Sequence, residues 1–140
     1  MLIGEYEYNI DQNGRLNFPA KLRDSMGETF ILSKSVDEKC LYAYPLESWR
    51  EKQQKLKELP AESARVLQRY LFSSASETGT DKQGRIIIPQ TLRDFASLQK
   101  EVIIIGADDR CEIWDKGEWQ KYKDSRDDNA VRLLASKMGF

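Results

Sequence analysis

The chain has 140 residues, 40% hydrophobic and 32% charged, with a formal net charge of −1. That length supports a stable core without staples, since a chain of this size buries roughly two-thirds of its unfolded surface, and no apolar run nears the ~20 residues that span a bilayer. With no histidine and only two isolated cysteines, Cys40 and Cys111, the composition excludes most zinc sites and every histidine-based triad, while the near-zero charge excludes diffuse electrostatic attraction to nucleic acid and leaves room for a few focused basic residues acting in several copies.

In chain order, the opening stretch Met1–Asp11 lacks a basic region followed by an apolar one. It does not read as a secretory leader, and a cytoplasmic location is expected. Tyr6, Tyr8 and Ile10 alternate with polar residues and predict a half-buried strand. The phrase Asp11-Gln12-Asn13-Gly14-Arg15 then turns the chain. An Asp at the first place of a type I turn bonds its own backbone, and a Gly at the fourth place accepts a positive φ, which together give a bulged three-residue hairpin connection. Leu16 and Phe18 alternate on the return strand; Pro19 ends it and suits the first turn of a short helix through Asp24.

Strands are expected at Phe30–Leu32 and Leu41–Tyr44, followed by a helix that opens at Pro45-Leu46-Glu47 and carries Trp49. Over Trp49–Leu59, Arg50, Lys52, Lys55 and Lys57 stand against Glu51 and Glu58, a mixed-charge solvated face rather than a basic nucleic-acid helix. A further helix spans Ala61–Phe72, with Ala64, Leu67 and Leu71 on one face. Ser73–Asp81 reads as a linker.

The turn phrase then returns as Asp81-Lys82-Gln83-Gly84-Arg85. Asp11–Asp24 lies over Asp81–Asp94 without a gap and matches at seven of fourteen positions, where ordinary residue frequencies give roughly one. The second half therefore repeats the first. Its return strand, Ile86–Ile88, is apolar throughout and reads as buried on both faces. Pro89, a short helix through Asp94, strands Val102–Ile105 and Glu112–Trp114, and a helix opening at Asp115–Glu118 with Trp119 follow. The last helix, Asn129–Met138, puts Val131, Leu134 and Met138 on one face, and the acidic stretch Lys123–Asn129 reads as its cap. Cys40 and Cys111 fall at nearly matching places and read as small half-buried apolar residues, with no disulfide.

Turn chemistry accounts for Asp11, Gly14, Asp81 and Gly84. It does not require the arginine that follows in both copies. Arg15 and Arg85 either pair with Asp11 and Asp81 as exposed staples, a contribution of about 0–1 kcal/mol, or are presented outward as planar forks that suit a phosphate or the O6/N7 edge of guanine.

The repeated D-x-x-x-R with Gly before Arg, the apolar strand ending in Pro, and the Leu-Arg that follows resemble the MraZ family of bacterial transcription regulators, within the AbrB-like swapped-hairpin group. The resemblance covers nearly the whole chain. It implies an α+β fold, a pseudo-twofold double-split β-barrel built from two AbrB-like repeats with helices flanking it. The repeats would span 5–47 and 76–119, with a helical segment and linker at 48–75 and a C-terminal helical segment at 120–140. It also implies a nucleoid-associated, ring-shaped homo-oligomer that binds direct repeats in double-stranded DNA at the promoter of its own division and cell-wall gene cluster. Arg15 and Arg85 are the implied DNA contacts, with Lys21, Arg23, Lys82 and Arg93 as secondary DNA or interface contacts. Arg23 and Arg93 have the further option of pairing with Asp24, Asp94 or a neighbouring subunit.

No pair of carboxylates sits beside a nucleophile, a metal-ligand set or a phosphate loop, so no enzyme, cofactor, metal or small-molecule substrate is expected. The competing class is a self-assembling or partner-binding protein without DNA affinity. A toxin-binding AbrB-type antitoxin fits less well, because such chains are short single copies that dimerise.

Overall fold

A computed structural model describes all residues, Met1–Phe140. Eight strands and six helices follow in the order β1 (Leu2–Asn9), β2 (Arg15–Asn17), α1 (Ala20–Met26), β3 (Phe30–Lys34), β4 (Leu41–Pro45), α2 (Leu46–Leu56), α3 (Ala61–Phe72), β5 (Ser76–Thr78), β6 (Arg85–Ile87), α4 (Gln90–Phe95), β7 (Glu101–Asp108), β8 (Cys111–Asp115), α5 (Lys116–Ser125) and α6 (Asp128–Lys137). No helix is long and apolar enough to cross a membrane.

The halves are interleaved. Six strands form one antiparallel sheet in the order β1-β7-β8-β4-β3-β5, and β2 pairs with β6 in a separate ribbon. Exchanging each strand for its counterpart in the other half (β1 for β5, β3 for β7, β4 for β8) turns the six-strand order into its own reverse. That is the pseudo-twofold, read directly from the topology. The sheet is open, with β1 and β5 as its edges, so the strands make a sheet and a ribbon rather than a closed circle of hydrogen bonds.

Three local expectations need correcting. The β1–β2 hairpin pairs only at its tip, through the bridge Ile10↔Leu16; beyond it β1 runs along β7 and β2 along β6. The supposed linker contains β5, an edge strand that pairs with β3 from Leu32↔Ser76 to Phe30↔Thr78. The two cysteines are fully buried, not half-buried, and burial pushes the Cys111 thiol up to about 12.

The ribbon and the sheet share one core. Leu16, Phe18, Ile86 and Ile88 point inward from the ribbon segments, and Phe30, Leu32, Leu41, Ile104 and Ile113 meet them from the sheet. Phe18 and Phe30 pack ring against ring at 5.2 Å. Each such side chain contributes about 1.5–3 kcal/mol by leaving water, so the inner face of the ribbon anchors it to the sheet. Leu22 and Met26 of α1 and Leu92 of α4 close the ends of this core. Pro19 and Pro89 sit at the N-caps of these two helices, their fixed φ of −56° and −57° carrying the chain from ribbon to helix.

Outside the core, α2 and α5 each bring a tryptophan to the sheet. Tyr44, Trp49 and Phe72 pack as tilted rings in the first half, tying α3 to α2, and Trp114 packs tilted on Trp119, which stacks on Tyr122, in the second. Lys52 on α2 pairs with Asp109 at 3.4 Å, in keeping with a solvated mixed-charge helix. Asp115 caps α5 by accepting from the amides of Gly117 and Glu118, and Asp127 caps α6 by accepting from Asn129 and Ala130. Val131 and Leu134 of α6 and Met138 at its C-cap remain exposed in the single chain.

Candidate nucleic-acid interface

The two copies of the turn have one geometry. The Asp11 carboxylate accepts from the amides of Asn13 and Arg15, both at 2.9 Å. The Asp81 carboxylate accepts from Gln83 at 2.8 Å and Arg85 at 2.9 Å. Gly14 N–H donates to the Asp11 carbonyl and Gly84 N–H to the Asp81 carbonyl, while the amides of Asp11 and Asp81 donate to the carbonyls of Arg15 and Arg85. Gly14 and Gly84 take φ of +81° and +77°, the left-handed region where a side chain costs about 1–2 kcal/mol.

These turns deliver their arginines onto the ribbon. The register is Arg15↔Ile87, Leu16↔Ile86 and Asn17↔Arg85. The ladder is extended at both ends by Phe18 N–H donating to the Gly84 carbonyl at 2.9 Å and Ile88 N–H to the Gly14 carbonyl at 2.8 Å. Because strand side chains alternate, Leu16 and Ile86 face the core and the other four residues face out. Arg15 and Arg85 are then diagonal neighbours on one exposed face, with Cα atoms about 7–8 Å apart. Asn17 and Ile87, the pseudo-equivalent pair, complete that face. Ile87 is 60% exposed, contrary to the expectation that the whole Ile86–Ile88 run is buried.

The two arginines carry like charges, and each turn supplies a counter-charge. Arg85 Nε donates to Asp81 Oδ2 at 3.1 Å, and Arg15 Nε lies 4.0 Å from Asp11 Oδ2. Both carboxyls are held below the usual carboxylate range, first by the backbone amide of the following arginine; desolvation comes next and opposes it, and the second turn amide and the nearby positive charge add to the lowering. The arginine side chains stay 41% and 32% exposed, so each fork keeps free donors facing outward.

Arg23 and Arg93 do not pair with Asp24 or Asp94. Arg23 Nε donates to the Phe18 carbonyl and Arg93 Nε to the Ile88 carbonyl, each at 2.9 Å. Each guanidinium lies against the glycine of the other half's turn, Arg93 on Gly14 and Arg23 on Gly84. Lys21 and Lys82 are exposed, Lys21 on α1 and Lys82 at the tip of the second turn. The structure thus brings Arg15, Arg85 and the two turns together on the ribbon and places Arg23 and Arg93 behind the turns. Asn17 and Ile87 escaped the sequence reading, although their place two residues after each arginine is the signal that puts them on the same face.

The family model of the MraZ protein matches the chain twice, over residues 1–70 and 71–134. The chain belongs to the MraZ family. A protein from Acetivibrio thermocellus named transcriptional regulator MraZ is 45% identical over all of this chain and 98% of its own length. Proteins of the same name from Heliobacterium modesticaldum and Clostridium acetobutylicum are 49% identical, over 89% of this chain and 87% of the relative, and 44% identical over the whole of both. The MraZ repeats coincide with the duplicated turn, ribbon strand and short helix, one of each per match. MraZ is a family of transcriptional regulators and not of enzymes.

Proposed function

We propose that this chain is a sequence-specific DNA-binding regulator that represses its own division and cell-wall gene cluster, gripping direct repeats in the promoter through the paired D-x-x-x-R turns of a nucleoid-associated ring oligomer. The observation that carries this reading is the presentation of Arg15 and Arg85 side by side on the outer face of a two-stranded ribbon. A ribbon of that width enters the major groove, where an arginine fork takes guanine O6 and N7. Asn17 offers an amide suited to adenine, and Ile87 an apolar contact suited to a thymine methyl. These two residues differ at equivalent places, so the face has a polarity, which suits boxes repeated in one direction better than a palindrome. The same reading takes the sheet and the ribbon as the two parts of a double-split barrel.

The net charge of −1 makes one ribbon a weak binder. Several ribbons on one assembly multiply their contacts through effective concentration, and the uncovered apolar residues Val131 and Leu134 of α6, Met138 at its C-cap, and Val66 and Tyr70 of α3 supply faces for that assembly. The test is an electrophoretic shift with the promoter region upstream of this protein's own gene, run across a salt series beside a shuffled fragment. Binding selective for the promoter, weakening as salt rises, supports the reading. Assembly with no salt-dependent, promoter-selective binding would leave a self-assembling or partner-binding protein.

A further inference from the structure

We propose that Arg23 and Arg93 are positioning residues that act across the pseudo-twofold, each fixing the DNA-reading turn of the opposite half; this rests on the DNA-binding reading above. Arg23 belongs to α1 of the first half, yet its guanidinium lies over Gly84 of the second-half turn, where a Cβ on the glycine would come within 2.5 Å of its Cζ. Arg93 belongs to α4 of the second half and lies over Gly14 of the first-half turn, 2.9 Å from the place of that Cβ. Its Nη1 also donates at 3.4 Å to the carbonyl of Gln12 in the same turn, 81 residues away in sequence. The head of each arginine is itself fixed, because Nε donates at 2.9 Å to the carbonyl of Phe18 or Ile88, the residue that leaves the ribbon.

These contacts make a closed relation. Phe18 N–H donates to the Gly84 carbonyl, and Phe18 carbonyl holds the guanidinium that rests on Gly84. The second half repeats the arrangement with Ile88, Gly14 and Arg93. A glycine is required in each turn for the positive φ and also to admit a flat cation against the backbone. Arginine is required because only a planar group with an Nε–H can bond the carbonyl and lie flat at once. A lysine keeps the charge and can donate to the carbonyl, but it has no flat group to lay over the glycine while doing so. The consequence is that the two reading arginines are held as one unit.

The experiment compares Arg23→Ala, Arg23→Lys and the mirror variant Arg93→Ala by amide NMR of the free protein and by binding to a promoter fragment across a salt series. The expected result is that Arg23→Ala and Arg23→Lys both shift the amides of Gln83, Gly84 and Arg85 more than those of Asn13, Gly14 and Arg15, and that Arg93→Ala does the reverse. Both Arg23 variants lose roughly tenfold or more in affinity with the salt slope unchanged. Amides of the opposite turn that stay in place overturn the proposal. So does rescue of affinity by Arg23→Lys, or a slope reduced by about one, which marks a direct phosphate contact. If the wild-type protein does not bind the fragment, the DNA-binding reading fails, and the clamp stands or falls on the amide shifts alone.

Discussion

Asn17 on β2 stands directly opposite Arg85 on β6. That one pairing fixes the outer face of the ribbon, because it places Leu16 opposite Ile86 on the inner face and Arg15 opposite Ile87 on the outer. The register is held from below, where Leu16 is fully buried and Ile86 is 1% exposed. Leu16→Ala is expected to destabilise the protein by about 2–5 kcal/mol. Since the core is common to both halves, unfolding in denaturant should remain a single transition, coincident by tryptophan fluorescence and circular dichroism. Two separated transitions would mean that the halves fold independently.

Gly14→Ala should be costly for reasons that add. The φ of +81° alone costs a side chain about 1–2 kcal/mol. The new Cβ would also fall 2.6 Å from the Ile88 carbonyl oxygen, a backbone atom held by Arg93 Nε. The expected outcome is a lower denaturation midpoint together with weaker DNA binding. A midpoint equal to wild type would contradict the turn geometry.

The pseudo-twofold topology was only partly legible in the sequence. The repeat showed that one fold is built twice, and the short helices, Ala61–Phe72 and the helix-borne Trp49 and Trp119 fell where their patterns put them. β5 was missed because Ser76 and Thr78 stand where the first copy has Tyr6 and Tyr8, so the second copy of that strand lacks an apolar alternation. The exchange of partners was implied by the resemblance to the swapped-hairpin group but hidden from the residues themselves, for a different reason. A tight turn between two alternating runs argues for a local hairpin, and nothing in residue spacing says that both strands leave it for the other half. The exposure of Ile87 was masked by its neighbours, since three isoleucines in a row carry no period. The places of Arg23 and Arg93 depend on contacts between halves, which one sequence does not display.

Acid should loosen the turns at a definite place on the pH scale. The folded-state pKa values of Asp11 and Asp81 are lowered from 3.8. A depressed carboxyl contributes stability that is present above its unfolded pKa and is lost as pH falls through the folded one. Carboxyl NMR titration of the free protein should therefore give midpoints below 3.8 for both residues. The amides of Arg15 and Arg85 should move with them and stay constant above about pH 5. Midpoints at or above 3.8 would show that the amides do not hold these carboxylates.

The most direct test of the central claim is the affinity of the Arg15→Ala/Arg85→Ala double variant for the protein's own promoter, measured across a salt series alongside its mass in solution. The account predicts an unchanged assembly and a loss of promoter binding of roughly thirtyfold or more at moderate salt, since each base-edge contact is worth about 1–3 kcal/mol. A double variant that keeps its oligomeric state and binds the promoter as tightly as wild type would contradict it.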